Sequence, residues 1–197
     1  MAYDLLILAH VIGFILIAAG LLGVFLADLR ARQVRHLTAF AEAVRTIAVA
    51  YDGLVVPGAL LVLASGGVMI GQAGYDVLAT PWLLGMVTLF AFEFIEGNTV
   101  TRLYFLKLRR LTREAQASGG PTPDLIAARG TGFATFTHFL DLPLFLVIVS
   151  LGKLRPTTWE PFLIGTAAAL AVSAALTILL PRLSPWPELE SARKGEM

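Results

Sequence analysis

An uninterrupted apolar stretch, LLILAHVIGFILIAAGLLGVFLA, occupies residues 5–27 of the chain. A helix needs about 20 apolar residues, each rising about 1.5 Å, to cross the roughly 30 Å hydrocarbon layer of a bilayer. The stretch exceeds that length and contains no Asp, Glu, Lys or Arg. It also lacks the basic start and the short apolar core of a cleaved signal peptide. We therefore predict an uncleaved first transmembrane helix.

Four further apolar stretches follow along the chain, at residues 46–70, 82–101, 130–152 and 161–180. Together with the first stretch, they predict an all-α, polytopic membrane protein that folds as a five-transmembrane-helix bundle. We expect one membrane domain over residues 1–181, with Pro181 ending the fifth helix. A polar, loosely structured cytoplasmic tail is expected over residues 182–197, because Pro185 and Pro187 prevent a regular helix.

The composition agrees with this class of protein. Hydrophobic residues make up 57% of the chain and charged residues 15%, whereas soluble domains carry about 25% charged residues. The net charge of +1 gives no indication of a nucleic-acid partner. The absence of cysteine excludes disulfides, thiolate metal sites, iron–sulfur clusters and covalently attached c-type haem.

The basic residues predict an orientation. Thirteen Lys and Arg residues lie on one side of the predicted spans, and two, Lys153 and Arg155, lie on the other. Because cytoplasmic loops are enriched in Lys and Arg, we expect the amino terminus outside and the carboxyl terminus in the cytoplasm of a bacterial inner membrane. The thirteen residues are Arg30, Arg32, Arg35, Arg45, Arg102, Lys107, Arg109, Arg110, Arg113, Arg129, Arg182, Arg193 and Lys194.

Ionisable residues inside the predicted spans are the candidates for function, because such groups are costly in hydrocarbon and usually have a partner. Glu93 and Glu96 are three residues apart in the third span, so their side chains project from the same face of that helix. His138 and Asp141 have the same spacing in the antiparallel fourth span. Carboxylate and imidazole donors suit a divalent metal such as Mn, Fe or Zn. We therefore predict a metal site formed by Glu93, Glu96, His138 and Asp141.

Other interpretations of the same residues stay open. Several carboxyls at one depth cannot all be ionised without cations, so the cluster also fits a proton relay. A structural alternative has Arg45, Arg102 or Arg129 reaching inward to neutralise Glu96 and Asp52. In that case the protein is a non-catalytic accessory or assembly subunit of a membrane complex.

A haem site is the remaining alternative. His10 in the first span and Met86 in the third lie at similar predicted depths, and His/Met ligation of a b-type haem is chemically reasonable. The sequence contains no phosphate-binding glycine loop and no Ser/His/Asp nucleophile pattern, and so it assigns no reaction. Small residues at four-residue spacing in the fifth span, Gly165, Ala169 and Ser173, fit a contact within the chain or, alternatively, a homo-oligomer.

Short motifs along the chain carry a resemblance to known membrane proteins. Over nearly its full length the chain resembles the predicted integral membrane proteins grouped as domain-of-unknown-function family 2269. More distantly, its first helix is similar to that of the CopD-like and HemJ-like bacterial membrane proteins. The motifs are Leu8-Ala9-His10-Val11-Ile12, Ala19-Gly20-Leu21, Val56-Pro57-Gly58, Pro81-Trp82, Glu96-Gly97-Asn98 with Arg102, His138 with Asp141, and Arg155-Pro156.

The resemblance implies a multi-pass membrane protein and transfers no established activity. HemJ-like proteins are haem-associated protoporphyrinogen oxidases, and their first-helix histidine corresponds to His10 here. CopD-like proteins imply copper handling. These implications join the metal, proton and accessory interpretations as expectations.

Overall fold

A computed structural model describes residues 2–191 of the chain. The predicted tail residues Arg193 and Lys194 lie outside the described residues. Within them the chain forms six helices, and five of these are long and apolar enough to cross a membrane. The predicted all-α, five-span architecture is therefore confirmed. The helices are α1 (Ala2–Ala31), α2 (Leu37–Ala73), α3 (Pro81–Ala117), α4 (Pro123–Arg129), α5 (Gly132–Leu154) and α6 (Glu160–Leu183).

Two of the spanning helices are much longer than the bilayer requires. Helices α2 and α3 contain 37 residues each, which corresponds to about 55 Å of helix against about 30 Å of hydrocarbon. The additional turns of both helices are amphipathic, so a search of the sequence for apolar stretches does not detect them. Both helices extend beyond the apolar layer at the end of the molecule that carries most Lys and Arg residues, which we call the basic end.

The packed core of the bundle continues into the basic end, where it forms a region that we call the head. It is built from the start of α2, the end of α3 and the short helix α4. Phe40, Leu108 and Leu125 are fully buried there. Helix α4 begins at Pro123, and the Thr122 hydroxyl accepts a hydrogen bond from the Leu125 N–H at 3.3 Å as its N-cap.

The segment after α6 is also ordered. Helix α6 continues past Pro181 to Leu183, and the Ser184 N–H donates to the Leu180 carbonyl at 2.7 Å. From Ser184 to residue 191, where the described part of the chain ends, there is no regular helix, in keeping with Pro185 and Pro187. It is nevertheless not loose where described, because Leu189 is buried in the core that joins the head to α1.

Helices α2 and α3 each contain one π-helical turn, at Tyr51–Val55 and Gly97–Thr101. A π turn has i→i+5 hydrogen bonds, and π turns occur frequently at functional sites. The extra residue changes which side chains face the bundle interior. Tyr51 and Thr101 are buried as a result.

The bundle is held together by close helix contacts at small residues. Helix α1 meets α2 where a Cβ on Gly13 would lie 2.9 Å from the Gly58 carbonyl oxygen, and one on Gly58 would lie 2.7 Å from that of Gly13. On the other side, the small face of α6 packs on the central helix α5. There Gly165 faces Val147, and the Ser173 hydroxyl donates to the Phe136 carbonyl at 2.7 Å. Small residues thus let the backbones approach, as expected in a membrane.

We predict that Gly58→Ala destabilises the bundle by about 1–3 kcal/mol, because the added methyl group meets the backbone of α1 and not a flexible side chain. Gly67→Ala in the same helix is the matched control, since a Cβ there meets nothing within 4 Å. The control variant should equal or exceed the wild-type midpoint, because alanine favours helix over glycine. Thermal unfolding in detergent measures both. Equal midpoints for the two variants would contradict the predicted close contact.

Candidate functional site

Four helices, α1, α2, α3 and α5, surround a small cavity with polar side chains in the membrane-spanning part of the bundle. Glu93 and Asn98 of α3, Asp141 of α5 and Tyr51 of α2 line it, and apolar side chains form the remaining walls. Its volume is about 50 Å³, enough for about three water molecules or one small ion. Asp141 lies near the middle of α5, and so the cavity is far from either end of that helix. We call this space the acidic cavity.

The carboxyls around the acidic cavity are incompletely hydrogen-bonded. The Oε1 atom of Glu93 is buried and has no hydrogen-bond partner among residues 2–191, and the oxygens of Asp141, also buried, have no donor there other than the neighbouring Glu96 carboxyl. Glu96, just behind the cavity, differs because its Oε1 accepts a hydrogen bond from the buried Thr101 hydroxyl at 2.9 Å. Glu93 and Glu96 are the charged groups that act on Asp141. Two of the three carboxyls therefore lack a donor other than another carboxyl, and they line one small space.

The π turns place the polar groups that accompany these carboxyls. The Tyr51 hydroxyl lies where a side chain at position 97 would begin, so glycine is the residue that fits there. Tyr51 interacts electrostatically with all three carboxyls and with Arg102. Glu96 and Thr101 are five residues apart, which is the spacing that a π turn brings together. The local backbone thus creates the contacts around the cavity.

Arg102, the cationic side chain that interacts electrostatically with Tyr51, forms an ion pair outside the cavity. The Nε atom of Arg102 donates to Oδ1 of Asp52 at 2.8 Å, and both side chains are about 40% exposed. Arg45, another residue expected to reach inward, pairs with Glu42 at 3.2 Å on the surface. Among the described residues, no Lys or Arg lines the acidic cavity.

His138 faces away from the acidic cavity. Its ring packs edge-on against Phe105 of α3 and beside Phe139, with centroid separations of 5.1 Å. The charged groups that act on it are Asp28 of α1 and Arg32, which directly follows α1. Neither ring nitrogen has a hydrogen-bond partner in the described chain. The structure therefore brings three of the four predicted metal ligands together and places the histidine one helical turn away, toward the basic end.

No group of three or more His, Cys, Asp or Glu side chains within residues 2–191 is arranged to hold a metal ion. The predicted haem ligands also lie in different helix interfaces. Nδ1 of His10 is 3.1 Å from the Ser65 hydroxyl, between α1 and α2. Met86 of α3 packs against Gly152 of α5. The structure does not bring His10 and Met86 together.

A buried ion pair near the basic end was missed by the sequence analysis. Nε of Arg32 donates to Oδ2 of Asp28 at 2.9 Å, and both side chains are at most 5% exposed. The guanidinium lies over the ring of Trp186 at 4.5 Å and over that of Phe139 at 5.5 Å. In the sequence, Asp28 and Arg32 are four residues apart beside the first span, a spacing that favours an ion pair on a helix. The count of basic residues instead treats Arg32 as one of the charges that set the orientation.

Arg129, the last residue of α4, is buried against the same tryptophan. Its guanidinium lies 5.3 Å from the Trp186 ring centroid, and Nη1 donates to the Pro187 carbonyl at 3.3 Å. Burial lowers the pKa of Arg129, and the nearby Tyr104 hydroxyl opposes this effect. The aromatic ring and the carbonyl oxygen compensate for part of the lost hydration.

A second, wider groove is lined almost entirely by apolar side chains. It has a volume of about 530 Å³ and lies mainly between α5 and α6. Its described lining includes no ionisable side chain, and Leu146 and Leu154 in it are exposed. This groove belongs to the lipid-facing surface, and the acidic cavity is the candidate functional site.

The five long apolar helices define an integral, multi-pass α-helical membrane protein. Residues 4–156 match the family described as predicted integral membrane protein (DUF2269), and the chain belongs to that family. No curated protein and no solved structure matches the chain.

We predict that Gly97→Ala destabilises the protein by about 1–3 kcal/mol, because the new methyl group meets the Tyr51 hydroxyl. In a Tyr51→Phe background the same substitution should cost much less, since the remaining ring carbon lies 3.7 Å from the added Cβ position. A double-mutant cycle of unfolding midpoints in detergent measures this coupling. Additive effects of the two substitutions would contradict the contact.

Proposed function

We propose that this integral membrane protein binds a cation in the acidic cavity. The observation that carries the proposal is the group of three buried carboxyls at one small space, in which Asp141 has no hydrogen-bonding neighbour other than another carboxyl and Oε1 of Glu93 has none. An ionised carboxylate in a low-dielectric interior is costly unless a positive charge lies beside it. With Arg102 paired to Asp52, a bound cation is the partner that this arrangement lacks.

The donor atoms that line the acidic cavity limit which cations can bind there. The polar side chains that line the cavity offer carboxylate, phenol and amide groups, so every acceptor there is an oxygen. Hard cations such as Na⁺, Mg²⁺, Ca²⁺ and Mn²⁺ prefer oxygen ligands, and a proton binds a carboxylate directly. Zinc and iron, the other predicted metals, more often use histidine nitrogen, and His138 faces elsewhere. The supported ligand is a proton or a hard metal ion.

We also infer the orientation and location of the protein from its charges. Thirteen of the 15 Lys and Arg residues lie in segments that lead to the basic end or continue from it. The positive-inside rule then places the basic end in the cytoplasm and the amino terminus outside, in a bacterial inner membrane. The head would accordingly be cytoplasmic.

The proposal is tested by ligand-dependent stability of the purified protein in detergent. A ligand that binds only the folded state adds about 2.7 kcal/mol at a concentration of 100 times its Kd. Unfolding midpoints are measured with added NaCl, MgCl₂, CaCl₂ or MnCl₂, and separately over a range of pH. A proton that binds more tightly to the folded cluster than to the unfolded chain stabilises the protein as the pH falls.

We expect one of these cations, or a lower pH, to raise the wild-type midpoint, and the combined Glu93→Gln and Asp141→Asn variant to lose that response. Glu42→Gln is the matched control, because it removes an exposed carboxyl outside the cavity and leaves the Arg102–Asp52 pair intact. It should keep the response. Stabilisation by a metal salt identifies a metal ion, and stabilisation by acid alone identifies a proton. A response shared equally by all variants, or absent from the wild type, would overturn the proposal.

A further inference from the structure

The acidic cavity lies where α2 and α3 separate. At the basic end the two helices pack together in the head, and the ion pair of Arg102 with Asp52 bridges them at 2.8 Å. Beyond the π turns each helix packs on a different neighbour. Helix α2 packs on α1 at Gly58, and α3 packs on α5 at Met86. One side of the cavity therefore lies between α2 and α3, on the flank of the bundle.

The lining of the cavity consists of a buried floor and a partly exposed mouth. On the floor, Tyr51, Asp141 and Phe145 are at most 7% exposed. The mouth is the part of the lining that α2 and α3 contribute with partly exposed side chains, namely Val56, Ala59, Phe90, Glu93, Phe94 and Asn98. Leu60 and Phe92, on the same two helices, are 52% and 47% exposed. The mouth thus belongs to an apolar outer surface of the bundle.

Glu93 is the ionisable side chain of the mouth, and it lies deep in the membrane-spanning part. It follows Pro81, the first residue of α3, by about three turns, or about 18 Å of a hydrocarbon layer about 30 Å thick. At that depth the flank of the bundle faces lipid. A ligand that enters through the mouth must therefore already be dissolved in the hydrocarbon layer, where a bare inorganic ion is very costly.

We propose that the acidic cavity also binds a primary amine with an apolar tail, which enters from the lipid layer between α2 and α3. The protonated nitrogen occupies the cavity beside Glu93 and Asp141, and the tail extends through the mouth into lipid. The proposal rests on the proposed function in one respect, because the same carboxyls bind the positive charge. It adds a class of organic ligand and a direction of entry.

The polar atoms of the lining match a primary ammonium group, which carries three N–H donors and no acceptor. The carboxyls of Glu93 and Asp141 supply acceptors. Nδ2 of Asn98 donates to the Phe94 carbonyl at 2.8 Å, which leaves the side-chain oxygen of Asn98 as a further acceptor. Within the described part of the chain no Lys or Arg lines the cavity, so no side-chain cation competes for these oxygens.

The size of the cavity and the composition of the mouth fit the two ends of such a molecule. A volume of about 50 Å³ admits an ammonium group but not a complete amphiphile, so the tail must remain outside. The rings of Phe90 and Phe94 supply apolar surface where the tail would leave the cavity. Aromatic faces also attract a cation that passes over them. The carboxyls and the aromatic rings therefore complement the charged head and the apolar tail, respectively.

The test compares amphiphiles that share one tail. Unfolding midpoints of the full chain in dodecylmaltoside micelles are measured with added dodecylamine, dodecyltrimethylammonium or dodecanol. Dodecylamine should raise the wild-type midpoint by about 2–4 °C or more. Dodecyltrimethylammonium keeps the charge and the tail but has no N–H donor and a larger head, and dodecanol has no charge. Neither should match dodecylamine. Equal effects of dodecylamine and either of the other two compounds, or no effect of dodecylamine, would overturn the proposal.

Substitutions then assign the effect to the cavity. The combined Glu93→Gln and Asp141→Asn variant should lose the response to dodecylamine, because it removes the charges that bind the ammonium. Glu42→Gln should keep the response, since Glu42 is exposed and pairs with Arg45 outside the cavity. A response that persists in the double variant would show that dodecylamine acts elsewhere, which contradicts the proposal.

A narrower mouth separates this inference from the proposed function. Ala59→Leu fills part of the mouth and should weaken the response to dodecylamine, while any response to metal salts or to acid stays, because a small ion needs less space. Ala64→Leu is the matched control on the exposed surface of the same helix and should respond like the wild type. If Ala59→Leu does not fold, the smaller change Ala59→Val is used with the same expectation.

The two proposals can fail separately. An undiminished dodecylamine response in the folded Ala59 variant would overturn entry between α2 and α3. A wild type that responds to metal salts or acid but not to dodecylamine would overturn only the amine. A wild type that responds to dodecylamine alone would overturn the metal ion and the proton as ligands and support the amine.

Discussion

The lack of water inside a bilayer is the constraint on which the rest of this structure depends. A buried polar group there must find its partner within the protein. Near the basic end this condition is met, because Arg32 has both the carboxylate of Asp28 and the face of Trp186. In the acidic cavity Oε1 of Glu93 has no partner, and Asp141 has only another carboxyl. The contrast between the two regions, and not the presence of charge alone, distinguishes the functional candidate from a structural ion pair.

The backbone produces the cavity through two local departures from the α-helix. The π turns after Ala50 and after Glu96 occur in neighbouring helices and contribute Tyr51, Gly97 and Thr101 to the same region. In a regular helix, residues five apart diverge by about 140°, so the Glu96–Thr101 hydrogen bond depends on the π geometry. The site is therefore formed by helices that cross the membrane without a break and still expose polar side chains inward.

Much of the fold could be predicted from the sequence, because span length and hydropathy are set by bilayer thickness. The site was predicted less completely. Spacing of three residues leaves two side chains about 60° apart around a helix. Asp141 can therefore face the acids of α3 while His138 faces Phe105. Hydropathy also does not indicate where a π turn occurs. A count of basic residues does not distinguish a buried arginine, such as Arg32, from an exposed one.

Helices α2 and α3 run without a break from the lipid layer into the head. Tyr51 and Gly97, on the walls of the cavity, therefore belong to the same stiff rods as Phe40 and Leu108. No loop lies between the head and the cavity walls. A rotation of the head, for example on binding of another molecule, would therefore be transmitted along continuous helix. The head and the cavity walls are therefore joined directly by helical backbone.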